Sequence, residues 1–163
     1  MIVRPAKEED LPALLEIYNY EVIHGTATLD LNQRTLPEWK EWFREHQTKA
    51  HFILTAEIDG VTAGYASLSE YRSKEAYKST AELSVYVGHE FRRQGVASAL
   101  IEEVLKRARS TGGLHSVVSV ITAGNEASER LHGFRACGTL HQVGFKHGKY
   151  QDIDNFELIL GEE

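Results

Sequence analysis

Apolar positions in the first half of the chain recur first at helical and then at strand spacing. A short strand is predicted over "IVRPA", and the next apolar residues have the three- and four-residue spacing of a helix: Leu11, Leu14, Leu15, Tyr18 and Val22. A second helix is predicted after Thr35 and up to about Gln47, because Thr35 and Glu38 are spaced as a capping box. "HFILTAEI" and "VTAGYASLSEY", joined by Asp59 and Gly60, predict a β-hairpin.

Strands and helices also alternate in the second half. Strands are predicted over "TAELSVYV" (80–87), "LHSVVSVIT" (114–122) and "DIDNFELIL" (152–160). A third helix is marked by Val96, Leu100, Val104 and Ala108, and a short fourth helix by "NEASERLH" (125–132). "FRACGTL" is strand-like, and we expect Cys137 to be buried in it. Because no linker or repeat interrupts this alternation, residues 1–163 are expected to form a single mixed α/β domain.

Composition and charge narrow the range of functions. The 163 residues are 42% hydrophobic and 26% charged, with a formal charge of -6, which argues against general nucleic-acid binding. A single cysteine excludes an internal disulfide, and the 8 histidines show no spacing typical of zinc ligands. No apolar run approaches the roughly 18 residues that span a membrane, and the first residues lack the apolar core of a signal peptide. We therefore expect a cytoplasmic protein with no membrane segment and no metal site.

The segment "EFRRQGVASAL" (90–100) follows a predicted strand and opens a predicted helix. Backbone amides at such a helix start have no intrahelical partner, and the helix dipole favours an anion there. Gly95 lacks a side chain that would block a phosphate, Ala97 keeps the next turn narrow, and Arg92 and Arg93 add positive charge. A pyrophosphate is a natural ligand for this loop. An ordinary strand-to-helix connection with a solvated basic patch has the same spacing, so the spacing alone leaves both interpretations open.

"RRQGVA" (92–97) resembles the Q/R-x-x-G-x-G/A pattern of the Gcn5-related N-acetyltransferases (GNAT), with Arg92, Gly95 and Ala97 in the specified positions. Within that superfamily the chain is similar to the phosphinothricin and methionine sulfoximine acetyltransferases over nearly its whole length. The blocks that carry this similarity include "RPAKEEDLPALLEIYN", "GYASLSEYR", "STAELSVYV" and "VGFKHGKYQDI". The resemblance implies an α/β (α+β) fold: a central, mixed, mostly antiparallel twisted sheet with a parallel splayed strand pair, flanked by about four helices.

The resemblance also implies acetyl-CoA as co-substrate, held in the gap between the strands 80–87 and 114–122. The residues expected to bind the pantetheine chain through their backbone are Val85, Tyr86 and Val87, although "SVYV" also suits a core strand. The residues expected around the pyrophosphate are Arg92, Arg93, Gln94, Gly95, Val96, Ala97 and Ser98. Asn125 is expected beside the pantetheine, with Ser128 close by, and Asn125 is equally a candidate helix N-cap.

An amine acceptor arrives mostly as ammonium, so some group must take its proton before the nitrogen attacks the thioester. Glu82 is the candidate, because strand spacing puts it on one face with Ser84 and Tyr86. A carboxylate in so apolar a strand is costly to bury without a partner or a task. The resemblance places a catalytic glutamate at Glu82, and a structural salt bridge is the alternative. Backbone amides at the splay, that of Val85 among them, would stabilise the oxyanion, and no metal is needed.

The sequence does not assign the residue that returns a proton to the CoA thiolate. His132 is a candidate by its place in "RLH", but a lone histidine at the end of a short helix is more often structural, and we favour that interpretation. The chain also departs from its relatives here, because they carry a few more residues where "LHGF" (131–134) runs together. The missing helical turn would rotate His132 and shorten one wall of the cofactor site.

Acceptor selection depends on a smaller set of residues. The resemblance places Arg72 where an arginine pairs with the carboxylate of an amino-acid substrate. Tyr71, Phe145 and Lys146 are expected to frame a small pocket, completed by the partner subunit of a homodimer. The expected activity is direct acetyl transfer, in a ternary complex, to phosphinothricin, methionine sulfoximine or methionine sulfone. Alternatives are another amine, such as a polyamine or a protein N-terminus, and a catalytically silent acetyl-CoA-binding module.

Overall fold

The computed structural model describes residues 1–125 and 131–161. Its α-helices are α1 (Leu11–His24), α2 (Leu36–Glu45) and α3 (Val96–Thr111). Its strands are β1 (Ile2–Pro5), β2 (Phe52–Ile58), β3 (Val61–Glu70), β4 (Thr80–Val87), β5 (Ser116–Thr122), β6 (Arg135–Lys146) and β7 (Lys149–Ile159). Short 3-10 turns lie at Glu8–Asp10, Glu75–Tyr77 and His89–Phe91. The three longer predicted helices are confirmed, whereas the fourth falls largely on residues 126–130, outside the described part.

The strands form one seven-stranded sheet in the order β1-β2-β3-β4-β5-β7-β6. Over the described ranges, β4 and β5 are the one parallel pair, and all other neighbours run antiparallel. The connection between β4 and β5 contains α3, since parallel strands need a long return path. Their pairing extends only from Thr80 opposite Ser116 to Glu82 opposite Val118, so the two strands separate beyond Glu82. The expected mixed sheet with a splayed parallel pair is therefore confirmed.

Helices cover both faces of the sheet. On one face, Leu100 and Val104 of α3 pack in a buried cluster with Leu54 of β2. On the other face, α1 and α2 pack in a second cluster that contains Ile53 of β2 and Tyr65 of β3. Neighbouring strand residues contribute to opposite clusters because side chains alternate along a strand. None of the helices in residues 1–125 and 131–161 combines the length and apolar character of a membrane span.

The capping box that predicted α2 is present. Glu38 accepts hydrogen bonds from the backbone N–H of Thr35, at 2.7 Å, and from the Thr35 hydroxyl, at 2.8 Å. Such a cap satisfies amide groups that the first turn leaves free and stabilises a helix by about 1 kcal/mol. The helix ends at Glu45, slightly before the predicted limit of Gln47.

The last two strands form a hairpin that the sequence predicted only in part. A strand was expected from residue 152, whereas β7 begins at Lys149, and β6 continues as far as Lys146. The turn between them consists of His147 and Gly148, both with positive φ, which suits a two-residue hairpin loop. Two register shifts interrupt the pairing of β6 with β7. These bulges break the regular alternation of side chains by which strands are recognised in a sequence.

The predicted burial of Cys137 is wrong. β6 lies at the edge of the sheet, and Cys137 within it is exposed. An edge strand has a neighbour on one side only, and the helices pack over strands nearer the centre of the sheet. The strand assignment was sound, but burial depends on the position of the strand in the sheet.

Candidate active site

The separation of β4 from β5 opens a cleft of about 480 Å³, here called the splay cleft. Its walls are residues 83–87 of β4, residues 119–121 of β5, the C-terminal end of α1 and the start of α3. At the point of separation, the Ser119 hydroxyl donates a 3.1 Å hydrogen bond to the Leu83 carbonyl and ties the strands together. The predicted cofactor residues that line this cleft are Val85, Tyr86, Val87, Arg92, Arg93, Ala97 and Asn125.

The loop before α3 has the backbone that an anion site requires. Gly95 is the N-cap residue of α3 and has φ 79°, a left-handed conformation that favours glycine. The N–H of Ala99 donates to the Gly95 carbonyl at 3.1 Å and is the first helical hydrogen bond. The amides of Val96 and Ser98 precede it and therefore have no intrahelical acceptor. Together with Gln94, these residues lie in the loop and first turn of α3, beside the wall residues Arg92, Arg93 and Ala97.

A buried carboxylate that the sequence analysis missed lies at the wall of the splay cleft. Glu21 of α1 is 6% exposed and forms an ion pair with Arg92. A Cβ at Gly25 would lie only 1.9 Å from Glu21 Oε2, so the glycine leaves room for this carboxylate. The available signal was the helical register, because Glu21 lies seven positions after Leu14 and thus on the buried stripe of α1.

Lys146, which was predicted to frame the acceptor pocket, is the last residue of β6. Its ammonium is buried and donates to the backbone carbonyls of Glu21, at 3.1 Å, and Thr28, at 2.8 Å. Burial lowers the pKa of Lys146. The lysine therefore ties the end of α1 to β6, and its donors are directed at backbone oxygens.

The other predicted acceptor residues lie outside the splay cleft. The Arg72 guanidinium is exposed and lies over the rings of Tyr71, at 4.9 Å, and Tyr77, at 5.7 Å. The structure thus brings Arg72 and Tyr71 together through a cation–π contact. Phe145 is 57% exposed on β6 and packs against Tyr150 at 5.1 Å between ring centroids.

Glu82 is the last β4 residue paired with β5 and is half-buried. Burial raises the pKa of its carboxyl group. Within residues 1–125 and 131–161, no basic group forms an ion pair with Glu82. The alternative role for Glu82, a structural salt bridge, therefore has no partner residue in this part of the chain. Its side chain shares a face with Ser84 and Tyr86, as strand spacing predicts, and lies directly across from Ser69 of β3.

That same face of β3 and β4 forms the floor of a second cleft of about 330 Å³, here called the aromatic cleft. The floor residues are Tyr65, Ser67, Ser69, Ser84 and Tyr86, and the walls are Tyr18, Asp30, Arg34, Glu38, Trp39 and Trp42. Ser84 and Tyr86 line both clefts, so the clefts meet at β4 beside Glu82. The sequence analysis did not assign Trp39 or Trp42 to a site, because the cleft arises only when α2 packs over the paired strands β3 and β4.

Hydroxyl groups in the aromatic cleft differ in their partners. The Tyr18 hydroxyl donates to Asp30, which also accepts from Arg34. Burial and the bond to Asp30 raise the pKa of Tyr18 to about 12. The Tyr65 hydroxyl is buried without a hydrogen-bond partner among the described residues, and burial raises its pKa well above the ordinary value. An unsatisfied buried hydroxyl costs about 1–3 kcal/mol of stability.

The remaining candidates are Asn125, Ser128 and His132. Asn125 lines the cleft just after β5, and its N–H donates to the Thr122 carbonyl at 3.2 Å. Ser128 lies outside the described residues. His132 is exposed in a turn, in which the Phe134 N–H donates to the Leu131 carbonyl at 3.1 Å. Leu131 lines the cleft, whereas His132 does not.

Known proteins are similar to this chain in sequence and in architecture. Residues 14–138 match the acetyltransferase (GNAT) family. An L-methionine sulfoximine/L-methionine sulfone acetyltransferase of Pseudomonas aeruginosa is 36% identical over 162 residues, which cover 97% of this chain and 94% of the relative.

Two solved structures are similar over almost the whole chain. One is a GNAT superfamily phosphinothricin acetyltransferase from Sinorhizobium meliloti in complex with acetyl-CoA, with a TM-score of 0.93, 30% identity and coverage of 99% of this chain and 89% of that chain. The other is a ribosomal-protein-alanine N-acetyltransferase from Brucella melitensis, with a TM-score of 0.92, 37% identity and coverage of 98% and 99%.

Proposed function

The chain belongs to the acetyltransferase (GNAT) family, and from this premise we propose that it transfers the acetyl group of acetyl-CoA to the amino group of a small amino-acid-like compound. The proposed acceptors are phosphinothricin, methionine sulfoximine and methionine sulfone, after the relatives named above. The observation that carries the proposal is the meeting of two clefts at Ser84 and Tyr86 of β4. Glu82 lies two residues before Ser84 on the same strand face, and its carboxylate has no ion-pair partner within residues 1–125 and 131–161. Two ligands bound there would touch, as direct transfer in a ternary complex requires.

Acetyl-CoA occupies the splay cleft in this proposal. The pantetheine chain lies along the backbone of residues 85–87, where β4 has lost β5 as a hydrogen-bonding neighbour. The diphosphate binds the amides of residues 93–98 at the start of α3, and Arg92 supplies charge at the rim. Asn125 lies at the other wall. The acceptor occupies the aromatic cleft.

The reaction needs one base and one oxyanion site. Glu82 takes a proton from the acceptor ammonium, directly or through one water, and the freed nitrogen attacks the carbonyl carbon of the thioester. The backbone N–H of Val85 stabilises the oxyanion of the tetrahedral intermediate. Collapse of the intermediate breaks the carbon–sulfur bond, and the second proton lost by the acceptor nitrogen passes to the departing CoA thiolate. His132 is exposed and is not assigned this last step.

Arg72, held by Tyr71, is proposed to bind the acceptor carboxylate. The chain is proposed to act as a homodimer through the β6–β7 hairpin, which exposes Leu140, Val143, Phe145 and Tyr150 at the sheet edge. Such an apolar edge favours pairing with a second copy, which would bring Phe145 to the partner's acceptor site. We further propose that residues 1–163 form one catalytic domain and that the protein is cytoplasmic.

Acetylation of a protein N-terminus is the second candidate, because a structural neighbour carries a ribosomal-protein-alanine N-acetyltransferase name. A thiol-release assay with acetyl-CoA separates the possibilities when it includes phosphinothricin, methionine sulfone, a polyamine and a peptide with N-terminal alanine. We expect rapid release with the amino-acid analogues. Preference for the peptide would establish the second candidate, and binding of acetyl-CoA without release for any amine would identify a silent module.

A further inference from the structure

A histidine outside the proposed reaction holds a serine on the floor of the aromatic cleft. His46 follows α2 and is 6% exposed. Its Nδ1 lies 2.6 Å from the Trp42 carbonyl oxygen, and its Nε2 lies 2.7 Å from Ser69 Oγ. Ser69 lines the cleft and lies directly across from Glu82 on the neighbouring strand. Opposite residues on paired strands have their Cβ atoms about 5 Å apart.

The direction of these hydrogen bonds follows from the groups themselves. A carbonyl oxygen can only accept, so Nδ1 of His46 carries a proton and donates it to Trp42. Burial lowers the pKa of His46, which favours the neutral ring at neutral pH. In a neutral ring with Nδ1 protonated, Nε2 is an acceptor. The Ser69 hydroxyl must therefore donate its proton to His46.

We propose that Ser69, whose proton is committed to His46, accepts a hydrogen bond from the amino group of the acetyl acceptor beside Glu82. This inference rests on the proposed function and identifies how its acceptor nitrogen is oriented. Ser69 has one hydroxyl proton and two lone pairs, so only lone pairs remain for the cleft.

The direction of the Ser69 bond matters for reactivity. A serine with a free proton donates it to the lone pair of a neutral amine and masks the nucleophile. Ser69, acting only as an acceptor, binds an N–H of the ammonium. After Glu82 removes one proton, a remaining N–H of the amine still donates to the Ser69 oxygen. The lone pair of the amine is then free to face the thioester. In this arrangement Ser69 contacts the acceptor, and His46 is a positioning residue that acts through it.

The test compares an amine with the same compound lacking the amino group. The probes are L-methionine sulfone as acceptor and 4-(methylsulfonyl)butanoate, its desamino counterpart, as competitive inhibitor. Ser69→Ala should raise the KM of methionine sulfone by about tenfold or more, as loss of a hydrogen bond to a charged group predicts. The Ki of the desamino compound and the KM of acetyl-CoA should stay unchanged.

Two further variants separate this role from a structural tie between α2 and β3. Ser69→Thr keeps the hydroxyl and should retain the wild-type KM. His46→Phe keeps a ring at the site but frees the Ser69 proton, so it should lower kcat more than it raises the KM of the amine. Thermal unfolding and CoA binding by calorimetry establish that each variant is folded.

The outcomes are distinct. Equal weakening of the amine and of the desamino compound by Ser69→Ala would overturn the inference in favour of a structural role. An unchanged KM for the amine would overturn it as well, while leaving the proposed function intact. If the wild-type protein binds CoA but releases no thiol with methionine sulfone, the proposed acceptor class is wrong, and this inference is rejected with it.

Discussion

Gly25→Ala should destabilise the protein, although the backbone at residue 25 suits any residue. Gly25 has φ -122° and ψ -174°, an extended conformation without strain for a side chain. The new Cβ would lie 1.9 Å from Glu21 Oε2, so the carboxylate must retreat by about 1.5 Å to reach an ordinary contact of 3.4 Å. Arg92 pairs with the other carboxylate oxygen, Oε1, and we expect a movement of that size to weaken this ion pair.

The size of the effect follows from the exposure of the two charges. The Glu21 side chain is 8% exposed and the Arg92 side chain is 50% exposed. Breaking a fully buried ion pair costs about 3–5 kcal/mol, and an exposed pair contributes about 0–1 kcal/mol. Because water reaches one partner of this pair, we expect a loss of about 2 kcal/mol. For a chain of this length, that corresponds to a fall of about 4–8 °C in Tm.

The measurement is thermal unfolding followed by circular dichroism at pH 7, with Gly161→Ala as the matched control. Within residues 1–125 and 131–161, no atom lies within 4 Å of a Cβ at Gly161, so this variant reports mainly the effect of the substitution on the unfolded chain. In an Arg92→Met background, Gly25→Ala should have a much smaller effect, since the ion pair is already absent. If Gly25→Ala and Gly161→Ala unfold at the same temperature, the carboxylate has room to move without losing Arg92, and the reasoning fails.

Three further predictions concern the proposed chemistry and the aromatic cleft. Glu82→Gln should keep CoA binding but lower kcat/KM by about 10²–10⁴, most strongly below the pKa of the acceptor amine, and unchanged kinetics across pH would remove Glu82 as the base. Arg72→Ala should raise the KM of a carboxylate-bearing acceptor far more than that of acetyl-CoA, whereas equal effects would reject the carboxylate contact. Burial raises the pKa of Tyr18 from 10.0 to about 12, so the unfolded chain loses this proton first and stability should fall from pH 10 to about 12. Tyr18→Phe should make this fall of the unfolding free energy less steep, while Tyr65 and Tyr86, whose pKa values burial also raises, still contribute to it. An unchanged slope would contradict the assignment to Tyr18.

Local patterns in the sequence determined most of the fold. Helical spacing predicted α1 and α3, the capping box at Thr35 predicted α2, and alternation with the Asp59-Gly60 turn predicted the hairpin of β2 and β3. These signals act between residues close in the chain, so they are readable without a structure. The glycine-containing loop before α3 was recognised for the same reason, and Gly95 does adopt the left-handed conformation.

Tertiary structure alone decided which distant side chains meet. The pairing of β3 with β4 places Ser69 across from Glu82, and the packing of α2 brings His46 to Ser69. The hydrogen bond from the Lys146 ammonium to the Glu21 carbonyl likewise joins segments more than a hundred residues apart in the chain. Such contacts depend on sheet order and helix packing, which have no periodic signature in the sequence. The sequence therefore predicted the family and the glycine-containing loop before α3, whereas the shape of the aromatic cleft and the partners of its charged residues depend on the folded arrangement.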